Sequence, residues 1–109
     1  MQLATSVPDF TIRSAIVDDC TQILSFIQEL ADYEKLGHEV VATPATLEET
    51  LFGEKAYAEV TIGEYQGKAI GYSLFFHNFS TFTGRPGIYL EDIYVQPAMR
   101  GKGCGKLML

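Results

Sequence analysis

YLEDIYVQPAMRGKGCGK, residues 89–106, governs how the rest of the chain is read. An apolar run carries two adjacent carboxylates, Glu91 and Asp92. Pro97 breaks it, and then Gly101, Gly103 and Gly105 alternate with Lys102, Cys104 and Lys106. A strand that runs into a glycine-rich turn before "KLML" predicts a strand–loop–helix unit. Glycines let the backbone turn tightly and bring its N–H groups close to a ligand. Free N–H groups at a helix N-terminus, with the positive end of the dipole behind them, attract an anion. Arg100, Lys102 and Lys106 add three of the chain's eight cationic side chains within seven positions. A pyrophosphate suits such a turn. A glycine-rich connection with solvated lysines is the alternative, and the turn alone leaves both open.

Two familiar phosphate patterns fail here. A P-loop reading of Gly105-Lys106 finds Arg100 where its first glycine belongs and Leu107 where a hydroxyl belongs. A dinucleotide fingerprint counted from Gly101 ends on Lys106, and counted from Gly103 on Met108. What remains is Arg100-x-x-Gly103-x-Gly105.

Outward from this unit, "IYLEDIYV" reads as a strand that Pro97 ends, and "STFTGRPG" before it as a loop rich in breakers. "AEVTIGEY" and "AIGYSLFFHNF" read as a hairpin turning at Gly67. "ATPATLEETLFGE" predicts a helix with Pro44 in the first turn, a capping box between Thr46 and Glu49, and Gly53 at its end. "DDCTQILSFIQELADYE" has Cys20, Ile23, Leu24, Ile27, Leu30 and Ala31 at helical spacing, with Asp18 or Asp19 as N-cap. "FTIRSA" is a first strand. The sequence therefore predicts an α/β chain of the α+β type, in the order β-α-α-β-β-β-α.

The 109 residues suffice for one small domain. The net charge of −6 and eight basic residues argue against nucleic acid, and an acidic cleft would suit a cationic small molecule. No apolar run approaches the roughly 20 residues that span a bilayer, so no membrane association is expected. Cys20 and Cys104 lack the count and spacing of a disulfide framework, which fits a reducing cytoplasm. His38 and His77 have no partners at ligand spacing, so no metal is expected.

With "YLEDIYVQPAMRGKG" and "ILSFIQELADYEKL" in this order, the chain resembles the GNAT N-acetyltransferases, and within them the spermidine/spermine (diamine) acetyltransferase-like branch. Its acetyl-coenzyme A loop, Arg/Gln-x-x-Gly-x-Gly/Ala, is matched by Arg100, Gly103 and Gly105. The resemblance implies a mixed, largely antiparallel sheet flanked by helices. It implies transfer of an acetyl group from acetyl-coenzyme A to a primary amine of a polyamine, diamine or lysine-like small molecule. An alkylamine has a pKa near 10, so a base must take its proton. The resemblance gives that role to Glu91 and lines the amine's site with Tyr33, Glu34, Glu91 and Asp92. It gives the acetyl and pantetheine contacts to Ile93, Tyr94 and Val95, and the pyrophosphate to Arg100, Gly101, Lys102, Gly103, Cys104, Gly105 and Lys106.

By strand alternation Glu91 and Asp92 point to opposite faces, and both reach one cleft only if a bulge intervenes. The family's domain continues beyond the counterpart of Leu109, through the tyrosine that protonates the leaving thiolate. The chain is therefore expected to be a single incomplete domain, weakly active or inactive alone. Its "YLEDIYV" strand is expected to be an open edge that pairs two copies into a homodimer. A non-catalytic module that binds coenzyme A or another anion is the alternative function.

Overall fold

The computed structural model describes residues 2–101 and residue 108, with side chains from residue 4 onward. Five strands form one antiparallel sheet in sequence order: β1 (Gln2–Ala4), β2 (Phe10–Ser14), β3 (Glu59–Tyr65), β4 (Lys68–Ser80) and β5 (Arg85–Val95). Helices α1 (Cys20–Tyr33) and α2 (Pro44–Phe52) connect β2 to β3. The α+β architecture and antiparallel sheet agree with the expectation from sequence. The expected order lacked β1, three residues paired to Ile12 and its neighbours on β2. The helix expected to open at "KLML" lies outside the described residues.

The helices cover one face of the sheet. Ile23 and Phe26, at helical spacing on α1, are fully buried, and with Leu47 and Leu51 of α2 they pack on Val60, Ile62, Tyr72 and Tyr94. Phe26 stacks parallel to Tyr72 with ring centroids 5.9 Å apart. Aromatic contacts of this kind add about 1 kcal/mol beyond area burial. Val95, next to Tyr94, faces the other way and joins Phe10, Ile70, Met99 and Met108 in a second cluster.

Three local expectations are corrected. Asp19 stands at the start of α1 but does not cap it. Its carboxylate accepts two hydrogen bonds from the Arg13 guanidinium, at 2.7 and 2.8 Å, and one from Ile16 N–H. The bidentate cation outcompetes a helix N–H. In α2 the capping box is Thr43 with Thr46, not Thr46 with Glu49: each hydroxyl accepts from the other's N–H. Pro44 occupies the first turn as expected. Finally, half of "STFTGRPG" is not loop. β4 runs to Ser80 and pairs Arg85, Pro86 and Gly87 of β5, leaving a connection at 81–84. Pro86 is tolerated there because β5 lies at the sheet's edge. The β3–β4 hairpin turns at Gln66 and Gly67, both with positive φ (52° and 79°), as expected.

Candidate active site

The register of β5 on β4 builds the site. Asp92 pairs with Leu74 and Leu90 with Phe75, so Glu91 between them opposes no residue of β4. It is the extra residue of a β-bulge. Asp92 shares its face with Leu74, Tyr72 and Tyr94, the face covered by α1, whereas Leu90 with Phe75 lies on the other. Alternation counted from Leu90 brings Glu91 to the side of Asp92.

Tyr72 reports the result. Its hydroxyl donates to Asp92 Oδ2 at 2.9 Å while the residue is fully buried. Burial holds its phenol protonated well above the usual range, and the nearby charges of Asp92, Glu34 and Glu91 add to the effect. The charges of all three predicted carboxylates therefore act on one hydroxyl, which Asp92 contacts directly. Glu34 sits at the C-terminal end of α1, where the helix dipole disfavours negative charge. A cation would relieve this concentration of charge. Among the described residues no cluster of histidines, cysteines and carboxylates could hold a metal ion.

Beside the bulge lies an open backbone edge. Gln96 N–H donates to Ile70 C=O at 2.8 Å. Antiparallel partners alternate between mutually bonded and non-bonded pairs. Carried along the register, this turns the backbone groups of Tyr94 and Asp92 toward β4 and those of Ile93 and Val95 outward. The Val95 carbonyl accepts from Arg100 Nε at 3.0 Å, as an outward-facing group would. Ile93 thus presents an N–H and a C=O, and Val95 an N–H, with no neighbouring strand among the described residues. Tyr94 differs from its two neighbours. Its polar backbone is committed to the ladder, and its side chain is what reaches other parts of the site.

That side chain links strand to helix. Tyr94 Oη donates to Glu29 Oε1 at 2.8 Å, and burial together with this bond pushes its pKa up to about 12. The Arg100 guanidinium lies over the Tyr33 ring, 4.9 Å from its centroid, and 5.7 Å from that of Tyr94. Tyr33 is otherwise exposed. Arg100 therefore joins the first residue of the glycine loop to the end of α1. Gly101 has φ +83°, a left-handed turn that glycine adopts without strain. Lys102, Gly103, Cys104, Gly105 and Lys106 lie outside the described residues.

Tyr72 and Glu29 escaped the sequence reading. Tyr72 sits in an apolar run, and its partnership with Asp92 depends on a register that the bulge resets. Glu29 reads as one more polar residue on α1.

Residues 23–109 match the acetyltransferase (GNAT) family. The chain is 42% identical over 102 residues to thialysine N-epsilon-acetyltransferase of Mus musculus, covering 86% of this chain and 59% of that protein. It is 35% identical over 112 residues to spermidine/spermine N(1)-acetyltransferase-like protein 1 of Homo sapiens, covering 96% of this chain and 16% of that protein. Among solved structures, ribosomal-protein-alanine N-acetyltransferase from Brucella melitensis biovar Abortus 2308 superposes with a TM-score of 0.72 at 21% identity. That match covers 91% of this chain and 65% of the other. It concerns the fold.

Proposed function

The chain belongs to the acetyltransferase (GNAT) family, and from that premise we propose that it transfers an acetyl group from acetyl-coenzyme A to a primary amine of a polyamine, diamine or lysine-like small molecule. The observation that carries the proposal is the Glu91 bulge, which sets a carboxylate on an open edge strand and on the same side as Asp92. The names of the curated relatives, thialysine and spermidine/spermine acetyltransferases, support an amine acceptor.

The residues fit an acetyl-coenzyme A. The outward N–H and C=O of Ile93 and the N–H of Val95 would bond its pantetheine arm as a neighbouring strand would. Tyr94 would back that edge through its side chain. Gly101, with Arg100, Lys102, Gly103, Cys104, Gly105 and Lys106, would take the pyrophosphate. Bound there, the thioester supplies an activated acetyl carbon. Glu91 would accept the proton of the ammonium, directly or through a water, making the nitrogen a nucleophile. Glu34, Asp92 and Tyr33 would hold the cationic acceptor in place, so that attack becomes effectively intramolecular.

The 109 residues form part of a single acetyltransferase domain in this reading, since the chain spans about 60% of the length of the thialysine acetyltransferases it matches. We assign the reaction to the cytoplasm on the strength of the free, buried Cys20 thiol. A homodimer is supported by the edge position of β5 and by exposed Ile88, Tyr89 and Leu90 on it.

The test is calorimetry of the intact protein with acetyl-coenzyme A, followed by thiol release with spermidine, putrescine, thialysine and lysine. Amine-dependent release is expected. Binding without release from any amine would support the non-catalytic module and overturn the enzyme.

A further inference from the structure

We propose that Tyr72 is a positioning residue for the amine site, acting through Asp92 to hold one carboxylate oxygen so that the other meets the acceptor. The inference rests on the amine-acetyltransferase reading and deepens it. Tyr72 cannot wander: it is fully buried, its ring stacks within 4° of parallel on Phe26, and it leans on Tyr94 with centroids 6.5 Å apart. Its hydroxyl is therefore a fixed point, and it donates to Asp92 Oδ2 at 2.9 Å.

Asp92 needs such an anchor. It immediately follows the bulged Glu91, where the ladder is interrupted. The charges of Glu91, its neighbour in sequence, and of Glu34 act on the same hydroxyl that Asp92 contacts. Left alone, like charges separate and a half-buried aspartate turns to water. A rigid neutral donor opposes this without cancelling the negative charge that attracts the amine. An arginine or lysine in its place would supply the hydrogen bond but neutralise the site. A phenylalanine would fill the same volume and pack as well on Phe26, so packing does not account for the hydroxyl.

Glu91 takes the proton, whereas Asp92 places the acceptor. Loss of the Tyr72 hydroxyl should therefore appear in amine affinity more than in turnover. The experiment compares the intact protein with Tyr72→Phe, Asp92→Asn and the double variant, using spermidine and thialysine as acceptors.

We expect Tyr72→Phe to raise the amine KM about tenfold, as for loss of a hydrogen bond to a charged group. The kcat and the acetyl-coenzyme A KM should stay within about twofold. In the Asp92→Asn background, where the amide oxygen still accepts from Tyr72 but carries no charge to hold the amine, Tyr72→Phe should cost much less. A Tyr72→Phe variant that loses stability but keeps its amine KM would overturn the proposal, leaving only a satisfied buried hydroxyl. Equal effects in both backgrounds would also overturn it. Should the wild type release no thiol, the transferase reading fails separately. Calorimetry with spermidine then decides: weaker binding by Tyr72→Phe supports the positioning role, and unchanged binding ends it.

Discussion

Tyr94 of β5 donates its hydroxyl to Glu29 of α1 at 2.8 Å, joining residues 65 apart in sequence. The bond fastens the helix that ends in Tyr33 and Glu34 to the strand that carries Glu91 and Asp92. The two halves of the candidate amine site are thus fixed relative to one another by a contact outside it.

Removing that hydroxyl should loosen the whole unit. Tyr94→Phe is expected to cost about 1 kcal/mol in urea unfolding. The native phenol has its pKa raised to about 12 from an ordinary value near 10. Its contribution is complete below pH 10 and lost as pH rises toward 12. The variant should therefore show a shallower alkaline loss of stability than the wild type. Identical alkaline profiles would contradict the assignment.

Asp19 has the opposite sign. The Arg13 hydrogen bonds hold its carboxyl below the usual carboxylate range. Its contribution is present above the unfolded pKa of about 3.9 and disappears as pH falls through the lower native value. Asp19→Asn should lower stability by roughly 1 kcal/mol at pH 7 and flatten the decline below pH 4. Denaturant midpoints measured from pH 7 to pH 2 provide the check.

Gly71 is required by close approach. A Cβ there would run into the carbonyl oxygen of Tyr94, on the strand that carries the site. Gly71→Ala should destabilise by about 2 kcal/mol, the cost of forcing atoms into a packed region. Thermal unfolding would show it, and an unchanged Tm would mean that the two strands are not so closely apposed.

The outer half of β5 is the predicted contact between copies. Ile88, Tyr89 and Leu90 are exposed on an edge strand, as is Phe79 on the neighbouring β4. A charged residue on an edge discourages pairing. Ile88→Lys should shift sedimentation toward the monomer, and a wild type that remains monomeric at high concentration would dismiss the dimer.

Much of this arrangement could be read from residues alone. The spacing of Ile23, Ile27 and Leu30 predicted α1, and Gly67 predicted the hairpin, because both depend on local geometry. What escaped was decided by distant partners. Arg13 took the Asp19 carboxylate that would have capped α1. Arg85, Pro86 and Gly87 look like loop residues, yet β4 pairs them because an edge strand tolerates them. The short β1 has no pattern of its own and exists by pairing with β2.

The candidate site divides in the same way. Glu91, Asp92, Tyr33 and Glu34 were named through the family resemblance, but strict alternation separates the two adjacent carboxylates. Only the pairing of Leu90 with Phe75 and of Asp92 with Leu74 reveals the bulge that lets both act on one side.

The most direct test of the account is the pH dependence of amine acetylation by the intact protein and its Glu91→Gln variant. If Glu91 is the base, the variant should bind acetyl-coenzyme A normally, lose about 100-fold or more in kcat, and lose the acidic limb of the wild-type profile. A Glu91→Gln variant with wild-type kcat and an unaltered acidic limb would contradict the account.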